Sequence, residues 1–145
     1  MSVSVFDIFS IGIGPSSSHT VGPMKAAHAF VCSCDPLAQV SRVDITLYGS
    51  LAFTGQGHGT DVAIMMGLEG YLPESIDPVF VKERVKIIRE QKTLLLNQTK
   101  SIGFDVRADI HFEYNQALPG HTNAMRFVAY DERGAPILQG DFYSI

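Results

Sequence analysis

Over residues 42–48 polar and apolar side chains alternate without a break. Val43, Ile45 and Leu47 fall on one side, and Arg42, Asp44, Thr46 and Tyr48 on the other. A period of two is that of a half-buried strand, so one face of this segment meets a core and the other faces polar surroundings. What flanks it reads differently. Residues 20–34 place Met24, Ala27, His28 and Val31 on one helical face, with Pro23 tolerated in the first turn and Asp35 and Pro36 ending the run. Residues 62–68 form a short apolar helix capped by Thr60 or Asp61. Asp77 and Pro78 open a longer amphipathic helix with Val81, Val85 and Ile88 inward and Lys82, Glu83, Lys86, Arg89 and Glu90 on a solvated face. From residue 102 onward the period returns to two, over 109–114, 125–130 and 136–145, with a turn at 131–134 between the last two. Helices interleaved with one early strand and followed by several later ones predict an α+β domain. Its mixed sheet has about four strands, with helices packed on one face.

The 145 residues suit a single domain, and 46% hydrophobic content allows a buried core. Eleven basic residues stand against fifteen acidic ones, for a net charge of -4, and no basic run provides the footprint of a nucleic-acid partner. The N-terminal residues lack the charged and apolar regions of a secretory signal, and no apolar run reaches the ~20 residues of a membrane span, so a cytoplasmic location is expected. Cys32 and Cys34 are too few for a tetrahedral thiolate site and read as buried or half-buried thiols.

The chemistry gathers in three loops of small polar residues. Residues 10–24 read SIGIGPSSSHTVGPM, which places four serines, three glycines and His19 just ahead of a helix. Gly12, Gly14 and Gly22 allow close approach of backbone to a ligand. Ser16, Ser17, Ser18 and Thr20 supply hydroxyls where a helix start favours a carboxylate or phosphate. The blander reading is an N-cap by Ser18, which needs only one hydroxyl. His58 lies in a second such loop, YGSLAFTGQGHGTD over 48–61, and His121 in a third, GHTNAMR over 120–126. Each pairs an imidazole with backbone donors and hydroxyls, the parts of general acid/base chemistry on a small anionic substrate. His28 on a helix stripe and His111 in an alternating strand read as structural. A metal site from His19, His58 and His121 is open by count, but no helical i, i+4 pair supports it, and no metal ligand is assigned. The loop at Gly12 lacks the third glycine of a dinucleotide fingerprint and shows no strand feeding it. Asp61 and Glu69 read equally as a cap and a surface charge.

These three segments, together with FDIF over 6–9 and FYSI over 142–145, closely resemble the β domain of bacterial iron-sulfur L-serine dehydratases, and the resemblance covers essentially the whole chain. It implies a domain that packs against a catalytic α domain holding a [4Fe-4S] cluster, with the cluster ligands outside this chain. The implied reaction is β-elimination of water from L-serine to pyruvate and ammonia. It also implies an α+β fold similar to the serine-binding regulatory domain of phosphoglycerate dehydrogenase, and self-association into a homo-oligomer. Chains of the fused type continue past the terminal Tyr-Ser-Ile, so this one reads as an excised domain or a separate β subunit, inactive alone. Carried onto this sequence, the resemblance sets Ser16, Ser18, His19 and Thr20 in the active-site wall holding the substrate, with His58, His121 and Asn123 converging on it. Ser17, Gly59 and Thr60 are added as substrate-binding candidates, and of the catalytic candidates His58, His19 and His121 the first choice of base is His58, for its accessible Gly-His-Gly setting ahead of a helix start. The competing expectation is a regulatory module that binds L-serine as an effector and does no chemistry. A purely structural dimerisation domain would leave the three histidine loops unexplained.

Overall fold

The computed structural model describes residues 7–13, 21–49, 51–52, 59–113 and 123–144. In chain order these form β1 (Asp7–Ile13), α1 (Val21–Ser33), β2 (Arg42–Gly49), α2 (Thr60–Leu68), α3 (Pro78–Gln91), β3 (Thr93–Leu96), β4 (Lys100–Gly103), a single turn α4 (Val106–Asp109), β5 (Ile110–Glu113), β6 (Asn123–Tyr130) and β7 (Pro136–Ser144). The main sheet runs β1-β7-β6-β2-β5, and β3 and β4 form a separate two-stranded ribbon. Strands β1 and β7 are parallel, as are β2 and β5, whereas β6 is antiparallel to both β7 and β2.

The class is α+β with a mixed sheet and helices packed on it, as the periodicities predict, though the sheet has five strands where about four were expected. The additional strand is β1, so a strand does feed the Gly12 loop. Its sequence DIFSIGI contains glycine and serine, and it pairs with β7 over its full length, a long-range contact that local pattern does not announce. The ribbon was also missed. Each of its strands is only four residues long, and it turns through Asn97 and Gln98, both at positive φ (48° and 58°).

Alternation decides the sheet's two faces. Val43, Ile45, Leu47, Met125, Phe127, Ala129, Leu138 and Phe142 are all buried on one of them. An aromatic cluster stitches β1, α1, β6 and β7 together there. Phe30 stacks on Phe127 at 5.2 Å, and Phe142 meets Phe127 and Phe9 edge-on at 5.5 and 5.6 Å. Gly140 makes room for it, since a Cβ at that position would lie 2.8–2.9 Å from the rings of Phe9, Phe142 and Phe30. Helices α1 and α2 approach just as closely. At Gly67 a Cβ would come within 2.3 Å of the Met24 carbonyl oxygen and 2.6 Å of Ala27 Cβ.

Helix α3 forms as expected. Asp77 caps it by accepting from Val79 N at 3.0 Å, Pro78 occupies its first turn, and Val85 and Ile88 are buried. The cap assigned to α2 is corrected: its N-cap is Gly59 in the left-handed region (φ 77°), with no side-chain cap, and Thr60 is already helical and fully buried. Glu69 is corrected too. Far from being a surface charge, it is fully buried, receiving Arg84 Nε and Nη2 at 2.6 Å each and Leu95 N at 2.8 Å. That one carboxylate joins the end of α2 to α3 and the ribbon, with its lone pairs satisfied as burial requires.

Candidate active site

Register places five residues in one row across the sheet: Gly12 beside Tyr143, Tyr143 beside Ala124, Ala124 beside Tyr48 and Tyr48 beside Glu113. One step further along, Ile13 pairs with Ser144 and Gly49 with Asn123. The C-terminal ends of β1, β2, β5 and β7 and the N-terminal end of β6 therefore lie at a single edge of the sheet. Parallel and antiparallel pairings combine to produce this. Reversing any one strand would send its loop to the opposite edge.

The three histidine segments leave or enter at that edge. Residue 14 follows Ile13, residue 50 follows Gly49, and residues 114–122 run from Glu113 to Asn123. His121 lies two residues before Asn123 in the sequence, and Asn123 is itself paired with Gly49. His19, His58, His121, Ser16, Ser17, Ser18 and Thr20 themselves lie outside the described residues. Of the other residues expected to bind substrate, Asn123 is fixed in backbone by its pairing with Gly49, Gly59 turns the chain into α2, and Thr60 is buried behind it.

Two ion pairs near these segments are not visible in the sequence. Arg126, on the sheet face away from the core, forks onto Asp141 through Nε and Nη2 at 2.7 and 2.9 Å, and that carboxylate holds the Arg126 pKa above its ordinary value. In the cross-sheet pairing Arg126 stands opposite Thr46 and Asp141, two residues along β6 from the edge row. Tyr48, on the same face and in that row, is only 9% exposed. Closer to His58, Asp61 accepts from Val62 N at 2.9 Å and from Arg89 Nη2 at 2.7 Å, so α3 holds the start of α2 directly. The spacing of 28 residues between Asp61 and Arg89 carries no local signal that could have paired them.

His28 is half-buried on α1 with the Cys32 Sγ 3.8 Å from its ring nitrogens, and His111 is exposed, its Nε2 4.0 Å from Asp44 Oδ1. Cys34 is buried and donates to Phe30 O, and burial, then the neighbouring Cys32, pushes its thiol up to about 12. Cys32 is exposed, which corrects the expectation for that residue. Among the described residues no cluster of three His, Cys, Asp or Glu side chains could hold a metal ion, and no helix is long and apolar enough to cross a membrane.

Comparison with known proteins decides the family. The model of the serine dehydratase beta chain matches residues 4–145. The chain belongs to the serine dehydratase beta chain family. Among relatives, the L-serine dehydratase of Streptomyces coelicolor is 45% identical over 148 residues, covering 100% of this chain and 32% of that protein. That of Haemophilus influenzae is 40% identical over 99% of this chain and 32% of its own, and L-serine dehydratase 1 of Escherichia coli is 43% identical over 89% and 29%. The chain thus spans about a third of the length of the curated relatives it matches. In a family member, the three loop segments read from the sequence become the natural place to look for chemistry.

Proposed function

We propose that this chain supplies the substrate-holding and proton-transfer side of an L-serine dehydratase whose catalytic domain lies outside these 145 residues. The observation that carries the reading is the shared sheet edge: three segments, each with a histidine among small polar residues, are anchored on Ile13, Gly49, Glu113 and Asn123 at one end of the molecule. Family membership and relatives named L-serine dehydratase support the substrate.

A [4Fe-4S] cluster does not fit the donors of this chain. Its two cysteines both lie at the end of α1, one exposed and one buried with its thiol directed at a helix carbonyl, whereas a cluster takes about four thiolates. In this reading the cluster belongs to the partner domain, where it would supply Lewis-acid chemistry for the leaving hydroxyl. In the proposed reaction hydroxyls of Ser16, Ser17, Ser18 and Thr20 hold the carboxylate and ammonium of L-serine, with Gly59, Thr60 and Asn123 shaping the wall. His58 takes the Cα proton as the Cα–H electrons form the Cα=Cβ bond and the Cβ–O bond breaks. The leaving hydroxyl departs as water once it gains a proton, a role this reading gives to His19 or His121. The aminoacrylate released tautomerises and hydrolyses to pyruvate and ammonia. Proton transfer by a positioned side chain contributes typically 10²–10⁴-fold, so the histidines should be visible in kcat.

The test is pyruvate release from L-serine by the chain assembled with its catalytic domain, anaerobically reconstituted, beside the 145-residue chain alone. Turnover by the assembly and none by the chain alone is expected. His58→Ala should lower kcat by well over tenfold, more than ~1.4 kcal/mol of barrier. A loss within tenfold removes His58 as base. Loss of apparent affinity or cooperativity with an unchanged limiting rate, across all three histidine variants, replaces the reading with a regulatory L-serine module.

A further inference from the structure

A second site lies on the described residues alone. A cleft of about 410 Å³ opens where the end of α3 meets the exit of the ribbon and α4, lined by Arg89, Lys92, Phe104, Asp105, Val106 and Arg107. Three cations surround one carboxylate in a chain whose net charge is -4. Two of the cations have an ordinary explanation, since Arg89 is in the last turn of α3 and Lys92 is its C-cap, where positive charge offsets the helix dipole. Arg107 has none. It belongs to a separate turn, and among the described residues its guanidinium has no carboxylate partner.

The lone carboxylate is already engaged. Asp105 Oδ1 accepts from Arg107 N at 3.0 Å to cap α4, and Oδ2 lies 3.7 Å from Lys92 Nζ. Arg89 spends Nη2 on Asp61 and keeps its other donors. The backbone under these cations is held rather than loose. Lys92 sits at φ 54°, its N–H bonded to Ile88 O at 2.8 Å and its carbonyl accepting from Phe104 N at 2.9 Å. Holding three cations round one cleft costs repulsion that a dianion would remove, and guanidinium forks match phosphate oxygens.

We propose that this cleft binds a phosphate group, free or as the ester of a small molecule whose body lies against the half-buried Val106. Because Asp61 neutralises part of the Arg89 charge, it weakens the cleft's hold on an anion, which links the cleft to the start of α2, two residues after His58 in the sequence.

The test is titration of the 145-residue chain at constant ionic strength, followed by amide NMR shifts and calorimetry, with inorganic phosphate in one arm and phenyl phosphate in the other. Saturable binding is expected, with shifts centred on residues 103–108. Arg107→Gln should weaken it about tenfold, as loss of a charged hydrogen-bond donor predicts. Arg133→Gln, in the turn between β6 and β7 and outside the lining of this cleft, should leave it unchanged. Asp61→Asn should tighten it by freeing Arg89, a sign that general loss of structure would not produce. Tighter binding of phenyl phosphate identifies an ester as ligand, and equal binding identifies free phosphate. Shifts that never saturate, or that are the same in Arg107→Gln, overturn the proposal. The assay measures no turnover, so its failure and failure of the dehydratase reading are separate results.

Discussion

Helix α2 is gripped by α3 at both ends, and the two grips differ in kind. At its C-terminal end Glu69 is fully buried and Arg84 is 23% exposed, joined by two hydrogen bonds of 2.6 Å. At its N-terminal end Asp61 and Arg89 are 23% and 46% exposed and share a single one of 2.7 Å. The first pair lies in a low-dielectric setting where losing one partner strands the other, and the second is partly dissolved in water. One end of α2 is therefore fixed by the fold, and the other, beside Gly59 and the cationic cleft, is held by a bond that can be exchanged.

The largest expected effect comes from cutting the buried grip. Glu69→Ala leaves the Arg84 guanidinium without its fork and Leu95 N without an acceptor, and should cost about 3 kcal/mol in urea unfolding. In a domain of this size that corresponds to a fall in Tm of roughly 6–12 °C. A loss no larger than that of the exposed pair would erase the distinction between the two ends. Next comes Gly67→Ala. Its new Cβ would strike the Met24 carbonyl, which is backbone and cannot swing aside, so α1 and α2 must separate at a cost of about 1–3 kcal/mol. Wild-type stability in that variant would mean that the helices are not packed as closely as described.

Asp61→Asn and Arg89→Gln should each cost less than about 1 kcal/mol, with the loss shrinking further at high salt. Their interest is functional. In the assembled enzyme either change should alter kcat or KM for L-serine beyond what stability explains, because Asp61 stands three residues from His58. Unaltered kinetics in both would cut the proposed link between the cleft and the candidate site.

Much of this was legible in the sequence, and what was not has a physical reason. Strands β2, β6 and β7 and helices α1 and α3 follow from periodicity because each has one buried and one open face, and a face is what periodicity encodes. Strand β1 was hidden because pairing with a distant strand, rather than composition, makes it one, and the ribbon because two four-residue strands are too short to show a period. The candidate site was read from residue types in three loops and from the family resemblance those loops carry. That its three segments share an edge depends on the directions of five strands, which no local motif specifies. Glu69 misled for a related reason: carboxylates are almost never fully buried unless paired, and its partner is fifteen residues away.

The last comparison is read from a labelling rate, which reports which grip holds the core closed. Cys32 is exposed, while burial raises the Cys34 thiol to about 12 and shuts it from solvent, so near pH 8 a thiol reagent should label Cys32 at once and Cys34 only when the structure opens. A raised thiol pKa lowers the thiolate fraction throughout the range below it, so increasing pH should speed Cys34 labelling only through opening until the pH nears that value. If the buried grip is part of the cooperative core, Glu69→Ala should raise the Cys34 labelling rate by about the factor its stability loss predicts, two orders of magnitude for ~3 kcal/mol. Asp61→Asn should leave that rate within a fewfold of wild type. Equal acceleration in both variants would show that the two ends of α2 open together, making the exposed pair as much a part of the fold as the buried one.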